Sequence, residues 1–404
     1  MGINIAIIGG GASGLIAAIK AASMGASVTI FEKNLKLGKK ILATGNGRCN
    51  YLNIHADKYG YNHPFFVEPI FDQFGVNDTI EFFKKLGVYP KVEDNGKSYP
   101  LSEQASSVTE ALIRSVHMAK VKVRLGEAVA DIKHINDKFV IGTNLNKTAS
   151  FDKVIIATGG LALPKSGSTG DGYLFAEAFG HYKTDVFPAL VKLNLSSPYL
   201  KETDGVKFAT QVNLVLNDKV IQSETGDVLF TKYGISGPTI LDISRKANEL
   251  LLKSLKPVIS VKLVSSLSEI ETVERFRALK GFNLHDALYG LINRKLIGPV
   301  LKESRLNPND MIDSLPNKDM DRLIHVLFNY AFLIIGSKDF DEAQVTAGGI
   351  DISSIDDQSL ESLYMSGLYF TGEVMDIDGL CGGYNLQWAW SSGYVAGKSA
   401  ATTK

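Results

Sequence analysis

Apolar and glycine-rich stretches alternate at the head of the chain in the order of a strand, a helix and a second strand. An apolar run from Ile5 to Ile8 is typical of a buried parallel strand, and it stops at Gly9. Between residues 12 and 25 the apolar side chains follow a helical spacing. Residues 27–31 form a second apolar run that ends in Glu32. The pattern therefore predicts a βαβ unit.

Two further strand patterns belong to the same kind of fold, although they lie far along the chain. Residues 153–156 form a short apolar run that leads into Ala157-Thr-Gly-Gly160. Leu368 to Thr371 form another run, which closes on Gly372-Glu373, and a helix is predicted from Trp388 to Ala400. Because ligands bind at the carboxyl ends of parallel strands in such sheets, we expect these strand ends to lie beside the first one.

The middle of the chain has a different pattern. Consecutive short strands between residues 212 and 263 predict an antiparallel sheet or barrel, with one of its turns at Thr225-Gly-Asp227. Helical patterns then continue to residue 330, and the first of them opens with the capping box Ser268-Glu-Ile-Glu271. Nearer the head of the chain, residues 65–88 are predicted to form a single helix.

The predicted fold class is α/β, with a Rossmann domain interrupted by a β-barrel and a small helical subdomain. The Rossmann domain is expected to occupy residues 1–190 and 348–404. The β-barrel is expected at 191–265 and 331–347, and the helical subdomain at 266–330. An insertion of this kind returns the last strand and helix to the first domain.

The turn after the first strand carries the spacing G-x-G-x-x-G. Gly9 permits the tight turn, Gly11 lets a pyrophosphate approach the backbone, and Gly14 lets the helix pack closely on the strand. Ala12 and Ser13 open the helix, where free N–H groups and the positive end of the helix dipole attract phosphate. The motif in this context predicts dinucleotide binding.

Glu32 limits which dinucleotides this turn can accept. It lies eighteen residues after Gly14, where an acidic side chain takes the hydroxyls of an adenosine ribose. A carboxylate at that point repels a 2′-phosphate. The turn alone therefore leaves FAD and NAD open and disfavours NADP.

A polar, glycine-punctuated loop follows Glu32 and is predicted to lie over the cofactor, with a mobile surface loop as the alternative. Its cationic side chains would stand beside the pyrophosphate, where charge-assisted hydrogen bonds are strongest. The predicted cofactor ligands in this loop are Lys33, Lys39, Thr44, Gly45, Gly47, Arg48 and Asn50, and Lys40 is a further cation.

Three separated segments are predicted to meet on one ligand, which suits the long FAD molecule better than NAD. The first is the glycine turn, and the other two are the distant strand ends described above. The predicted ligands at these strand ends are Ala157, Thr158, Gly159, Gly372 and Glu373. We therefore expect the cofactor to be FAD.

The last helix is predicted to serve the reactive ring. Gly383 leads into it, and the N–H groups of Asn385 and Leu386 would face the pyrimidine end of a reduced flavin, where negative charge collects. Val129 is a predicted backbone contact for adenine, and Asp171 is predicted to cap the helix that follows it.

Composition limits the choice of partners and compartment. Among 404 residues, 43 Lys plus Arg balance 43 Asp plus Glu, so charge favours neither nucleic acid nor an anionic membrane. Cys49 and Cys381 have no metal spacing and the seven histidines are scattered, so no metal is expected, and Cys49 is interpreted as a packed thiol. No apolar run is long enough to span a membrane and no signal peptide is seen, which predicts a cytoplasmic protein. The expected partner is a small-molecule substrate, and the oligomeric state is open.

Taken together, the glycine-rich motifs resemble those of a family of three-domain bacterial FAD flavoproteins. The family includes aminoacetone oxidase and a bile-acid enoyl reductase, and its members are often described simply as NAD(P)/FAD-dependent oxidoreductases. The resemblance covers nearly the whole chain. The motifs that carry it are Gly9-Gly-Gly-Ala-Ser-Gly14, Thr44-Gly-Asn-Gly-Arg-Cys-Asn50, Ala157-Thr-Gly-Gly160, Gly167-Ser-Thr-Gly-Asp-Gly172 and Gly382-Gly-Tyr-Asn-Leu-Gln387.

The resemblance implies non-covalent FAD in a glutathione-reductase-like domain, with the β-barrel and helical insertion covering the flavin. The loop from Thr44 to Asn50 contains no histidine, which gives no basis there for covalent attachment. No second G-x-G-x-x-G follows a strand. NAD(P)H is therefore open only as an external reductant.

The predicted function is that of an FAD-dependent oxidoreductase that moves a hydride between a small organic substrate and flavin N5. The resemblance leaves two directions: oxidation of an amine such as aminoacetone with oxygen as acceptor, and reduction of an activated alkene. No catalytic acid or base is identified, and Arg48, Asn50 and Tyr384 are candidates because their loops should approach the ring. The alternatives are a flavoprotein acting on RNA, such as a tRNA-modifying enzyme, and a flavin-dependent regulator without turnover.

Overall fold

In the computed structural model, which describes residues 2–402, the chain forms two compact units. One unit consists of Met1–Phe187 and Gln344–Lys404, and the other of Pro188–Ala343. The chain therefore leaves the first unit after residue 187 and re-enters it at residue 344. Among the described residues, no helix combines the length and the apolar character needed to cross a membrane.

The first unit begins with the predicted strand, helix and strand and continues through two small sheets. Up to the insertion its helices are α1 (Ala12–Ser23), α2 (Pro64–Gln73), α3 (Val76–Lys85), α4 (Ala105–Met118) and α5 (Asp171–Glu177). Its strands in the same stretch are β1 (Asn4–Ile8), β2 (Ser27–Glu32), β3 (Leu52–Asn53), β4 (Pro90–Val92), β5 (Lys97–Pro100), β6 (Lys122–Leu125), β7 (Val129–Ile135), β8 (Lys138–Thr143), β9 (Thr148–Phe151) and β10 (Lys153–Ile156). The next strand, β11 (Phe187–Ala189), begins at the last residue of this stretch and continues into the second unit.

The second unit combines a closed barrel with short helices. Its strands are β12 (Leu193–Ser196), β13 (Lys207–Leu216), β14 (Lys219–Thr231), β15 (Gly234–Ser236), β16 (Val258–Val261) and β17 (Tyr330–Ser337). They pair antiparallel in the closed order β12-β15-β14-β13-β16-β17. The helices are α6 (Leu200–Thr203), α7 (Pro238–Leu252), α8 (Glu269–Ala278), α9 (Leu284–Tyr289), α10 (Arg294–Glu303) and α11 (Asn317–Phe328).

The end of the chain completes the central sheet of the first unit. It supplies β18 (Val345–Ala347), β19 (Leu368–Phe370) and α12 (Tyr384–Ala401). The central sheet has the order β19-β10-β1-β2-β6, and all its strands are parallel. Strands β1, β10 and β19 are almost wholly buried, as expected for a parallel sheet covered on both faces. Their carboxyl ends therefore lie side by side at one edge.

Helices α1 and α12, from opposite ends of the chain, pack in direct backbone contact. A Cβ placed on Gly393 would lie 2.4 Å from the carbonyl oxygen of Ser13, and one on Gly397 would lie 2.4 Å from that of Ala17. Each step of four residues along α12 thus matches a step of four along α1, so the two helices run in the same direction. Only glycine allows two helices to approach this closely.

The predicted α/β fold class with an inserted barrel and helices is confirmed, but two local predictions are wrong. Residues 65–88 form two helices, because the N–H of Gly75 donates to the Asp78 carboxylate at 2.9 Å and starts α3 afresh. The predicted turn at residues 225–227 is absent, since β14 continues through Gly226, which pairs with Thr210 of the equally long β13. The capping box is present, with Ser268 N donating to Glu271 at 2.7 Å.

His181 gives the first unit a pH-dependent contribution to stability. Its buried ring contacts the hydroxyls of Ser354 at 2.8 Å and Ser362 at 2.7 Å. Burial lowers the pKa of the imidazole from 6.5 to about 4. The unfolded chain therefore binds a proton that the folded chain does not, in the window between these two values.

We expect the free energy of unfolding to fall as the pH drops from 6.5 to about 4. Below about pH 4, His181 should cause no further loss. A shift of this size corresponds to about 3 kcal/mol. Urea unfolding of the wild type and His181→Gln between pH 7.5 and 4 measures it, with the exposed His285→Gln as control. A wild type and a His181→Gln variant with parallel pH dependence would contradict the assignment.

Candidate active site

The three glycines of the first turn stand in two different environments. Gly9 has φ +108°, and a Cβ there would lie 2.4 Å from the carbonyl oxygen of Ala157. A Cβ on Gly14 would lie 2.1 Å from the carbonyl oxygen of Gly9. Gly11, the N-cap of α1, has φ −82° and no heavy atom within 4 Å of a Cβ position. The fold itself thus requires the first and third glycines, whereas the second faces open space where a phosphate is predicted.

Glu32 is buried and fixed by backbone donors. Its Oε2 accepts from Gly10 N at 2.9 Å, and its Oε1 accepts from Asn34 N and Asn34 Nδ2, both at 2.8 Å. An ionised carboxylate offers about four acceptor positions, so one remains for a ligand hydroxyl. The carboxylate therefore holds the glycine turn in place as well as standing where a ribose is predicted.

We expect Glu32→Ala to weaken FAD binding and also to lower the stability of the flavin-free protein, each by about 1.5–3 kcal/mol, because the buried N–H of Gly10 loses its acceptor. Flavin-fluorescence titration and urea unfolding measure the two effects. The matched control is Asp152→Ala, since Asp152 accepts from Asn4 N at 2.8 Å at the other end of the sheet. The control should lose stability and keep its FAD affinity. If Glu32→Ala lost stability but kept its FAD affinity, the prediction that Glu32 binds the ribose would be wrong.

Lys33 and Asp171 form an ion pair. Lys33 Nζ lies 2.6 Å from Asp171 Oδ2 and also donates to the Thr169 hydroxyl. The prediction that Asp171 caps α5 is wrong: the N-cap is Gly170, and Asp171 is the first residue of the helix. The Asp171 carboxylate instead contacts Lys33 and accepts from the Thr169 hydroxyl at 2.9 Å.

The remaining cations of the basic loop are held in separate places. Lys39 donates to the carbonyl of Lys165. Lys40 Nζ lies 2.6 Å from Glu373 Oε2, and the side chains of Lys40 and Glu373 are each about one-fifth exposed. The Lys40–Glu373 pair joins the loop to the end of β19. It therefore ties the basic loop to one of the three segments predicted to meet at the cofactor.

Arg48 lies against carboxylates and an aromatic ring. Its guanidinium is 4.2 Å from the centre of the Tyr99 ring, and Nη1 lies 3.4 Å from Glu93 and 3.2 Å from Glu103. Tyr99, followed by these carboxylates, raises the pKa of Arg48 above its ordinary value. The guanidinium charge is thus already balanced by protein groups.

In the rest of the Thr44–Asn50 loop, Asn50 is tied to β5 and Cys49 is buried, whereas Asn46 and Gly47 are exposed. Asn50 Oδ1 accepts from Ser98 N at 3.2 Å, and Thr44 donates to the carbonyl of Ile41 at 2.7 Å. Cys49 is fully buried, and burial raises the pKa of its thiol to about 12. Such a thiol stays protonated at neutral pH, in agreement with its interpretation as a packed thiol.

The two distant strand ends lie directly beside the glycine turn. Ala157 N donates to the carbonyl of Ile8 at 2.9 Å, which places residues 157–159 next to Gly9. Thr371 N donates to the carbonyl of Ile156 at 3.0 Å, and Gly372 approaches Ser13 so closely that a Cβ would lie 2.6 Å from the serine oxygen. The structure thus brings all three segments to one edge of the sheet.

Val129 and the last helix extend the site in opposite directions. Glu127 N donates to the carbonyl of Glu32 at 3.2 Å, so Val129 begins its strand two residues from the predicted ribose position. At the other end, the Asn385 side chain binds the backbone of Gly379 at 2.9 and 2.8 Å. The N–H groups of Asn385 and Leu386 lie in the first turn of α12, where helices leave N–H groups without a partner in the helix.

The offset between α1 and α12 sets the length of the site. Gly393, ten residues after the N-cap Gly383, lies beside Ser13, which is two residues after the N-cap Gly11. At 1.5 Å per residue, α12 begins roughly 12 Å beyond the start of α1, measured along their shared axis and away from the bodies of the helices. Two parallel helix N-termini at this spacing fit an elongated dinucleotide, with phosphates at one and an anionic ring edge at the other.

Known proteins are similar in sequence to this chain over nearly its full length. The profile of the HI0933-like protein Rossmann domain family matches residues 3–399. The chain belongs to this family. The predicted resemblance is thereby confirmed, together with the Rossmann fold and the assignment as an FAD-dependent oxidoreductase.

Among relatives of this HI0933-like protein, a 3-dehydro-bile acid delta(4,6)-reductase of Clostridium scindens is 38% identical, covering 98% of this chain and 99% of the relative. A ribosomal RNA dihydrouridine synthase of Escherichia coli is 30% identical, covering 98% of each chain. The solved structure of 3-ketosteroid delta1-dehydrogenase from Sterolibacterium denitrificans is 12% identical, with a TM-score of 0.53 and 99% of each chain covered. At this identity the structure shows a shared fold.

Sequence reasoning missed one polar cluster of the HI0933-like protein, formed by Asn62, His63, Thr184 and Asp376. Asn62 Nδ2 donates to Asp376 Oδ1 at 2.9 Å across 314 positions of sequence. No local spacing could reveal such a contact. The only available signal was the pair of aspartates, Asp376 and Asp378, just before the glycine-rich entry to α12.

Proposed function

We propose that this protein reduces a carbon–carbon double bond conjugated to a carbonyl group, with non-covalent FAD as its cofactor. The observation that carries the proposal is the chemistry shared by its relatives. A 3-dehydro-bile acid delta(4,6)-reductase and a dihydrouridine synthase act on very different molecules. Each name describes the reduction of a carbon–carbon double bond that is conjugated to a carbonyl group. Amine oxidation, the other direction left open above, has no comparable support.

The residues proposed to hold FAD are those of the one sheet edge described above. Gly11 leaves room for the pyrophosphate, Glu32 faces the ribose, and α12 faces the ring. When bound and reduced, FAD supplies the hydride. The full proposed set is Gly9, Gly11, Ala12, Ser13, Gly14, Glu32, Lys33, Lys39, Thr44, Gly45, Gly47, Arg48, Asn50, Val129, Ala157, Thr158, Gly159, Gly372, Glu373, Gly383, Asn385 and Leu386.

The protein groups act on the cofactor by position and charge. Parallel helix N-termini favour negative charge at both ends of the site. Lys40 neutralises Glu373 at 2.6 Å, so the carboxylate adds little repulsion to a nearby pyrophosphate. NAD(P)H is proposed only as an external reductant and not as a bound cofactor, because no second dinucleotide fingerprint follows a predicted strand.

The proposed substrate is a small enone rather than RNA. The bile-acid reductase is 38% identical to this chain, whereas the ribosomal RNA dihydrouridine synthases of E. coli and Haemophilus influenzae are 30% and 32% identical. The equal number of acidic and basic side chains also disfavours a broad phosphate-binding surface. Ribosomal RNA is nevertheless the second candidate, because two full-length relatives carry that name.

An anaerobic flavin titration tests the proposal. The FAD-loaded protein is first mixed with NADH or NADPH, and the bleached protein is then mixed with 4-androstene-3,17-dione, 2-cyclohexen-1-one or ribosomal RNA. Return of the flavin band with an enone supports the proposal, and return with RNA together with dihydrouridine in the RNA supports the second candidate. Bleaching of the oxidised protein by aminoacetone, with no reaction of any enone, would overturn the proposal in favour of an amine oxidase.

A further inference from the structure

His63 and Asp376 form a histidine–carboxylate pair at the segment that leads into α12. His63 Nε2 lies 3.7 Å from Asp376 Oδ2, within ion-pair distance. The His63 side chain is 40% exposed, whereas that of Asp376 is only 14% exposed. The pair thus combines an accessible imidazole with a largely buried carboxylate.

Asp376 is held from two other elements. Asn62 Nδ2 donates to Oδ1 at 2.9 Å, and the Thr184 hydroxyl donates to Oδ2 at 3.1 Å. The backbone N–H of Asp376 donates to Ile350 at 3.0 Å. At 3.7 Å the facing Nε2 of His63 is beyond hydrogen-bond distance, so the fixed carboxylate acts on the imidazole through its charge, which favours a proton on that nitrogen.

The pair is tied to the start of α12 by its neighbours in sequence. Asn62 exchanges hydrogen bonds with the backbone of Asp378, at 3.1 and 3.0 Å. The Tyr61 hydroxyl donates to the carbonyl of Tyr384, the first residue of α12, at 2.7 Å. The imidazole of His63 therefore lies on a segment that is hydrogen-bonded to the start of α12, the helix end proposed to face the flavin ring.

Three other groups with proton chemistry in this unit are buried or already paired. His181 lies buried between two serine hydroxyls, and Cys49 is a buried thiol. Arg48 is balanced by Glu93 and Glu103. In contrast, His63 Nδ1 makes no hydrogen bond to any of the residues 2–402 that the structure describes, and its ring is exposed.

Resting on the proposed function, we propose that His63 is the acid that protonates the substrate and that Asp376 positions it. Addition of hydride to the β-carbon breaks the C=C bond and leaves an enolate. The enolate α-carbon then forms a C–H bond with the Nδ1 proton of the His63 imidazolium. The neutral imidazole keeps its Nε2 proton towards Asp376, and water restores the proton on Nδ1. Hydride and proton together saturate the double bond.

The test separates proton delivery from the other steps. FAD-loaded wild type, His63→Gln and Asp376→Asn are reduced anaerobically with dithionite and mixed with 2-cyclohexen-1-one or with oxygen. For His63→Gln we expect reoxidation by the enone to slow roughly 100-fold, the usual range for a general acid, and reoxidation by oxygen to be unchanged. Asp376→Asn should show a smaller loss. The control is His285→Gln, whose histidine also lies beside an aspartate, at 3.1 Å from Asp286.

A second measurement follows the proton itself. In D2O, the wild type should place deuterium on one face of the α-carbon, and His63→Gln should place it on both faces, because water then protonates the free enolate. Equal rates and equal stereochemistry in wild type and His63→Gln would overturn the role of His63 and leave the proposed function standing. A wild type that reacts with oxygen but with neither 2-cyclohexen-1-one nor 4-androstene-3,17-dione would overturn both. Unchanged FAD affinity in the variants shows that the site is still assembled.

Discussion

Gly11→Val is expected to lose FAD binding while the flavin-free protein stays folded. The new side chain meets no protein atom, since nothing lies within 4 Å of the Cβ position, and φ −82° suits any residue. The added methyl groups would instead fill the space predicted for the pyrophosphate. We expect the dissociation constant for FAD to rise at least about 100-fold, or about 2.7 kcal/mol. The change of N-cap residue should cost the fold only about 1 kcal/mol.

Gly14→Ala is the matched comparison, because it adds a smaller group in the same turn. Its Cβ would lie 2.1 Å from the carbonyl oxygen of Gly9, so the fold itself must shift. Urea unfolding of flavin-free protein and fluorescence titration with FAD measure both variants. Gly14→Ala should lose mainly stability, whereas Gly11→Val should lose mainly FAD affinity and only about 1 kcal/mol of stability. Full FAD affinity in Gly11→Val would show that the phosphates lie elsewhere.

The double replacement of Gly393 and Gly397 by alanine is expected to destabilise the protein by about 4 kcal/mol. This value is at the upper end of the range usually found when extra methyl groups are forced into a packed core. Each new methyl group would stand 2.4 Å from a carbonyl oxygen of α1. Backbone cannot yield as a flexible side chain does, so the two helices must separate. Since the start of α12 is placed by this contact, FAD affinity should fall together with stability.

Thermal and urea unfolding of the flavin-free protein test this second prediction. Lys398→Ala, an exposed position on the same helix, is the control and should change stability little. Single replacements should each show about half of the double effect, because the two contacts are separate. A double variant as stable as the wild type would mean that α1 and α12 are not in backbone contact.

Local signals in the sequence were enough to predict the parts of the fold that depend on neighbouring residues. The β1–α1–β2 unit has its apolar runs and its turn within one short stretch, so spacing alone identified it. The same holds for the capping box at Ser268, whose two partners are three residues apart. Two features were missed because a contact outweighs the local pattern. The contact of Gly75 N with Asp78 breaks a continuous apolar helical pattern, and the pairing of Gly226 with Thr210 carries β14 through an apparent turn.

The site was predicted as a set of segments but not as a set of contacts. Strand order brings residues 157–159 and 372–373 to Gly9, and a parallel sheet made that arrangement foreseeable. The pairing of Lys40 with Glu373 and of His63 with Asp376 was not foreseeable, since single-sequence spacing carries no information about partners more than 300 positions apart. The pairing of Asp171 with Lys33, 138 positions away, was likewise not foreseeable from spacing.

The pairing of α1 with α12 also fixes when the protein can acquire its cofactor. During synthesis α1 emerges before the helix that packs on it and before β19, the strand that covers the edge of β10. The second unit, which lies between them in sequence, has all its strands available earlier. We therefore expect the proposed FAD site to be assembled only after β19 and α12 have been made. A chain cut short before Leu368 is expected to contain every barrel strand and to bind no flavin.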